Sequence, residues 1–258
     1  MGNFIKMGTT LSNANLTKLT ADATIDNSTV MLIDFGRKTS VPNQTDLVNG
    51  DTVGNLVEGQ AGGSVITGTK FLFSAAGKYI TKQEGDISTR IQLPDVCKLK
   101  STDRSFQFSL WFTHIDKTDT TGNQALGGYA SNSSNQMPFA FYWYDGQYNL
   151  GCTGSRTAFA TPAAGTVHQL SVACDLDLGI RKFYHNNTLI RTETNIGLSE
   201  MTQPAAGSLP WLFYLGGGFN SRGNVKMHRA WLDINGGGAK FDAKVAADYN
   251  TNYSRFAA

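Results

Sequence analysis

The sequence predicts an all-β sandwich carrying one short C-terminal helix, and three observations support that prediction. Charged residues make up 16% of the 258 positions, against roughly 25% in ordinary domains, and Thr, Ser, Asn and 28 Gly take their place. Apolar runs are short, several alternate with period two, and clusters of turn residues separate them. Helical periodicity occurs once, where Phe241, Val245 and Tyr249 recur every four residues.

Composition excludes several classes of protein. An aromatic share of 11% is too high for a disordered chain. A net charge of +2 without any Lys/Arg run leaves no footprint for nucleic acid. Cys97, Cys152 and Cys174 are too few and odd in number for a disulfide framework, and Cys174 alternates with Leu170 and Val172 as a small core residue. No Cys-x-x-Cys and no histidine pair has zinc-ligand spacing. The opening Met1-Gly-Asn-Phe-Ile-Lys-Met lacks the apolar stretch of a signal peptide, and no segment reaches transmembrane length, so no membrane partner is expected.

Residues 1–64 are expected to form an N-terminal arm or anchoring segment, with 65–258 as the sandwich. Within the arm, Val30-Met-Leu-Ile-Asp-Phe35 reads as one buried strand, alternatively the first strand of the main sheet. Gly59-Gln-Ala-Gly-Gly63 marks the boundary. Next come Phe71-Leu-Phe73 and Tyr79-Ile80 around Ser-Ala-Ala-Gly77. In Ser105-Phe-Gln-Phe-Ser-Leu-Trp-Phe-Thr113, Phe106, Phe108, Leu110 and Phe112 face one way; Gln107, Ser109 and Trp111 face the other. In the strand at 138–144, Phe139, Phe141 and Trp143 oppose Tyr142 and Tyr144, and Asp145-Gly146 turns the chain into Tyr148-Asn-Leu150. Residues 169–174 and 180–185 flank a turn bent by Asp175, Asp177 and Gly179, and Asn186-Asn187 stands for a type I′ turn. Residues 209–215 and 225–233 complete the strands, and a helix from Phe241 to about Asn250 is expected to cap one end of the sandwich.

In this order the elements resemble the concanavalin A-like, laminin G-like jelly-roll domains over roughly residues 65–258. Thr69-Lys-Phe-Leu-Phe-Ser-Ala-Ala-Gly-Lys-Tyr-Ile80 is similar to the family's opening hairpin, and Ile91-Gln-Leu-Pro94 followed by 105–112 to the strand with a lone Trp. Thr166-Val-His-Gln-Leu-Ser-Val-Ala-Cys-Asp175 resembles the family's Trp-His strand, with Val167 where Trp is usual and Cys174 where Tyr is usual. Lys182-Phe-Tyr-His-Asn-Asn187, Leu215-Gly-Gly-Gly-Phe219 with 225–232, and the helix at 244–250 complete the match. The resemblance implies a jelly-roll sandwich and leaves glycan binding, calcium-assisted adhesion, glucan hydrolysis and structural association open.

The residues discriminate among these. Retaining glycosidases need two carboxyl groups roughly 5–5.5 Å apart. The nearest approach to the Glu-x-Asp-x-x-Glu strand of laminarinase-type enzymes is Glu84-Gly-Asp-Ile-Ser-Thr89, where Thr89 replaces the second glutamate; Glu193 and Glu200 have no neighbouring acid. The histidines at 114, 168, 185 and 228 are dispersed and read as structural, and no nucleophile elbow occurs, so no enzyme activity is expected. No cofactor is expected, except that calcium could be held by Asp116, Asp119 and Asn123 in the loop 116–123. A glycan ligand would be met by Tyr142, Tyr144 and Tyr148, with Asn132 and Asn135 supplying amides.

The main functional expectation is a non-enzymatic virion surface or structural protein of a bacteriophage, either capsid decoration or a tail/fibre attachment component. It would be assembled in the host cytoplasm and contact other virion proteins or copies of itself, with polysaccharide as a further partner. It rests on an extracellular-type surface without a signal peptide. The alternative is a carbohydrate-binding lectin module, and a degenerate β-glucanase-like glycosidase stands third.

Overall fold

The computed structural model describes residues 22–257 apart from 84–85, 87, 116–123, 130–137, 145–146, 153–154, 160–162, 199–208, 217–218 and 221–224. The first strands are β1 (Thr29–Asp34), β2 (Thr52–Val53), β3 (Gly63–Ile66), β4 (Phe71–Ser74), β5 (Tyr79–Lys82) and β6 (Arg90–Gln92). The middle of the chain forms β7 (Ser105–His114), β8 (Gln124–Tyr129), β9 (Ala140–Tyr144), β10 (Gln147–Cys152), β11 (Ser155–Phe159) and β12 (Val167–Asp175). There follow β13 (Ile180–His185), β14 (Thr188–Thr194), β15 (Pro210–Leu212), β16 (Tyr214–Gly216), β17 (Phe219–Asn220), β18 (Val225–Ile234) and the helix α1 (Phe241–Phe256).

These strands build two antiparallel eight-stranded sheets, the all-β sandwich with a C-terminal helix expected from the sequence. The helix-side sheet has the order β14-β13-β12-β7-β18-β5-β4, with β1 also paired to β18. The second sheet, called here the open sheet, has the order β11-β10-β9-β8-β15-β6-β3-β2, and β16 and β17 form a separate hairpin. Period-two alternation places Phe106, Phe108, Leu110 and Phe112 of β7 between the sheets, against Phe141 of β9 and Phe139 just before it. Phe108 stacks on Phe139 with ring centroids 4.5 Å apart. Burial of each such ring contributes on the order of 2–3 kcal/mol. Cys174 lies in the same core, and Cys97 and Cys174 are both buried.

The meander turns follow their residue chemistry. Asp175 Oδ1 accepts the amides of Asp177 and Leu178, its Oδ2 accepts the amide of Gly238, and Gly179 adopts φ 62°. Asn186 and Asn187 both adopt positive φ, 48° and 62°, as the type I′ turn joining β13 to β14 requires.

Two expectations are corrected. The boundary at residue 64 falls inside β3, and the arm's described part is built into both sheets: β1 pairs with β18, and β2 with β3. Met31, Ile33 and Phe35 lie in the main core, so the alternative placing of the Val30-to-Phe35 run in the main sheet holds. The helix does not cap an end of the sandwich. It lies on the outer face of the helix-side sheet, with Phe241 and Val245 against Ala173 and Tyr184, and Tyr249 and Phe256 against Trp111 and Val167.

Candidate functional site

A ligand surface on a sandwich needs an outer face, and the helix-side sheet has filled its own. Beneath α1, Asp248 accepts hydrogen bonds from Trp111 Nε1 (2.7 Å), Trp231 Nε1 (2.8 Å) and Gln169 Nε2 (2.8 Å) on Oδ2. Its Oδ1 accepts from Arg229 Nε (3.0 Å), Asn252 Nδ2 (3.0 Å) and Thr24 Oγ1 (3.2 Å). The Arg229 guanidinium also grips Asp22 with two nitrogens, at 2.6 and 2.8 Å, and reaches Asp34 at 3.3 Å. Burial opposes the charge on Arg229, yet Asp248, Asp22 and Asp34 together raise its pKa above the usual arginine value. This network latches the helix over β7, β12 and β18.

The open sheet is different. Alternation turns Val65, Ile91, Leu212, Leu126, Phe141 and Leu150 inward, so their strand neighbours face out. Strand register lines up Ser64, Gln92, Trp211, Gly128, Ala140 and Gly151 in one row across six strands. The small residues in that row have steric causes. A Cβ on Gly128, which has φ 141°, would lie 2.5 Å from the Phe139 carbonyl oxygen and 3.0 Å from Leu215 Cδ2. A Cβ on Gly151 would meet the Tyr142 ring at 3.0 Å. Leu215 of β16 packs with Ala125, Ala140 and Tyr142, so the hairpin roofs this half of the face.

At the other half, Trp211 and Tyr214 form an aromatic corner, with centroids 5.5 Å apart and planes at 73°. Arg90 of β6 lies over both rings, its guanidinium carbon 5.0 Å from the Trp211 centroid and 4.7 Å from that of Tyr214. All three side chains are half-buried, as is Gln92 beside Trp211. Behind Arg90, Lys82 is only 2% exposed, and burial lowers its pKa to about 8, with Asp86 opposing and Arg90 reinforcing that shift. Burial acts to raise the Asp86 pKa. Hydroxyl and amide donors from Thr69, Thr89 and Ser88 outweigh it and hold the carboxyl below its ordinary range.

The residues expected to meet a glycan are dispersed by the fold. Tyr144 is exposed at 39%, whereas Tyr142 is 8% exposed beneath Leu215. Tyr148 is corrected outright: it shares the inward parity of Leu150, is 3% exposed, and its hydroxyl lies 2.7 Å from His114 Nδ1. Asn132 and Asn135 lie outside the described residues, as do the calcium candidates Asp116, Asp119 and Asn123. Among the described residues, no cluster of three or more His, Cys, Asp or Glu side chains could hold a metal. Of the acids weighed for hydrolysis, Asp86 is a turn cap, Glu193 is ion-paired with Arg181 and Arg191, and Glu84 and Glu200 are outside the described residues. His168 Nδ1 and His185 Nε2 are 2.9 Å apart, with Thr166 Oγ1 2.6 Å from His168 Nε2, which makes both partnered inter-sheet residues. Sequence reading missed Arg90, Trp211 and Tyr214. The alternation Arg90-Ile91-Gln92 and Pro210-Trp211-Leu212 held a signal for two of them, since Ile91 and Leu212 go inward and their neighbours must go out.

No protein-family model matches the chain. No curated protein sequence matches it either. Solved structures do share its fold. One is a Trypanosoma rangeli sialidase in complex with sialic acid, with a TM-score of 0.57, 9% identity, and coverage of 88% of this chain and 33% of that one. Another is the binding domain of botulinum neurotoxin DC in complex with SialylT, with a TM-score of 0.58, 13% identity and coverage of 87% and 52%. A third comes from a study of botulinum neurotoxin type C and its interaction with two ganglioside molecules, with a TM-score of 0.55, 12% identity and coverage of 82% and 49%. The chain thus spans about a third of the sialidase and about half of each toxin chain. At these identities the likeness is one of fold.

Proposed function

We propose that the chain is a non-enzymatic carbohydrate-binding module of the concanavalin A-like, laminin G-like kind, receiving sugar rings on the outer face of the open sheet at Trp211 and Tyr214. The observation behind this reading is the half-buried aromatic corner beside Gln92 on a sheet face where most neighbouring positions are small. Sugars offer apolar C–H faces and a rim of hydroxyls, so their sites combine aromatic rings with a few amide and charged groups. Two neighbours of this fold are structures with sialic acid and SialylT, and a third concerns gangliosides, which favours the same class of ligand. Asp86, engaged as a turn cap, supports the non-enzymatic part of the reading. The virion role suggested by composition draws no support from the fold or its neighbours.

The test is a glycan array probed with the whole chain and with Trp211→Ala and Tyr214→Ala variants. Binding should fall about tenfold or more in each variant, as for truncation of a buried aromatic contact. Binding to no glycan, or binding indifferent to both changes, would sink the reading.

A further inference from the structure

We propose that this carbohydrate site, if read correctly above, selects acidic sugars, with Arg90 holding the carboxylate or sulfate group in the corner between Trp211 and Tyr214. Arg90 stands apart from its own kind. Arg37, Arg104, Arg181, Arg191, Arg229 and Arg255 each face an Asp or Glu carboxylate, and these are all the other arginines whose side chains are described. Arg90 faces none among the described residues. One nitrogen, Nη1, donates to the Ser88 carbonyl oxygen at 3.1 Å, and Nε is buried without a hydrogen-bond partner. A guanidinium has five N–H donors in a rigid plane, and the Ser88 carbonyl occupies only one of them among the described residues.

The surroundings give that cation its setting. Trp211 and Tyr214 flank the guanidinium, its central carbon 5.0 and 4.7 Å from their ring centroids, and leave its N–H donors to other acceptors. Lys82, coupled to Arg90, adds a second positive charge, and among the described residues Asp86 opposes that of Lys82. A planar cation with N–H donors to spare, beside two aromatic rings, suits an oxyanion attached to a ring that stacks nearby. The two aromatic residues would then bind the sugar, and Arg90 would read its charge.

The experiment is a glycan array carrying matched acidic and neutral forms, probed with the whole chain, Arg90→Gln, Arg90→Lys and Trp211→Ala. Carboxylate arms pair polygalacturonate with its methyl ester and sialyllactose with lactose; the sulfate arm pairs dextran sulfate with dextran. The expected result is binding confined to acidic members, reduced about tenfold or more by Arg90→Gln and also weakened by Arg90→Lys, which keeps the charge but loses the fork. Which arm responds identifies the anion. Melting temperatures of the variants separate loss of the site from loss of the fold. Binding to neutral glycans that Trp211→Ala abolishes and Arg90→Gln leaves intact would overturn the acidic-ligand inference while the carbohydrate reading survives. Binding to no glycan would overturn both.

Discussion

Asp248 shows how much of this molecule is decided by single side chains. Six donors converge on one fully buried carboxylate, among them two indole N–H groups and the Arg229 guanidinium. Removing its charge leaves a buried arginine short of a counter-ion and forces an amide N–H₂ against other donors. Asp248→Asn is therefore expected to cost about 3–5 kcal/mol, measured by urea denaturation, the cost typical of breaking a buried pair from one side. Asp242→Asn, on the same helix but largely exposed, should cost well under half as much. Equal costs for the two would mean that the network contributes little. Nothing in the sequence marks Asp248, because five of its six donors come from Thr24, β7, β12 and β18 and only the fold assembles them. The same holds for the candidate site. The outward parity of Trp211 is legible from Leu212 beside it, but its meeting with Arg90 requires β6 to be the neighbour of β15, which only the topology decides.

At the level of elements, legibility follows the distance between partners along the chain. The alternation in β7 and β9 and the turn at Asn186 and Asn187 were readable because the residues that determine them are adjacent. Strand β1 was harder to place because its partner β18 lies at the far end of the chain. The seat of the helix is hidden for another reason. Its buried face includes Lys244, Asp248 and Asn252, spaced four apart, and a sequence reader assigns such residues to solvent. The hairpin of β13 and β14 offers a direct test of local legibility. Asn187 has φ 62°, where a β-branched side chain collides with its own backbone, so Asn187→Val should cost about 1–2 kcal/mol in denaturant unfolding. Asn187→Gly should be neutral or slightly stabilising. Asn186 is a poorer position for this test, since its side chain also accepts the Gln169 amide. An unchanged midpoint for Asn187→Val would show that the turn can adopt another geometry at no cost.

For the whole molecule, the buried imidazoles make stability depend on acid. His228 donates from Nδ1 to the Lys78 carbonyl at 3.1 Å, and its Nε2 lies 2.7 Å from Thr113 Oγ1, a set satisfied by the neutral ring. Burial lowers His228 to about 4, with the Lys78 carbonyl and Asp34 opposing that shift. Burial, reinforced by His185 and His114, lowers His168 to about 4 as well. The unfolded chain takes up these protons near pH 6.5, and the folded one only near pH 4. Between those values the unfolded state binds more protons, so stability falls as pH falls, by on the order of 3 kcal/mol for each histidine. Asp22, lowered to about 2 because its hydrogen bonds and Arg229 outweigh burial, extends the loss between its ordinary value of 3.8 and pH 2. Asp233, raised by burial despite Lys244, acts in the opposite sense and blunts the lower part of the curve. Two histidines at this magnitude are a large part of the 5–15 kcal/mol by which domains are typically stable. The melting temperature should therefore hold near neutrality, drop most steeply between pH 6.5 and 4, and continue to fall more gently below. Replacing His168 and His228 together by Gln should lower stability at pH 7 but flatten that steep limb. A double variant that keeps the wild-type slope between pH 6.5 and 4 would show that other groups carry the transition.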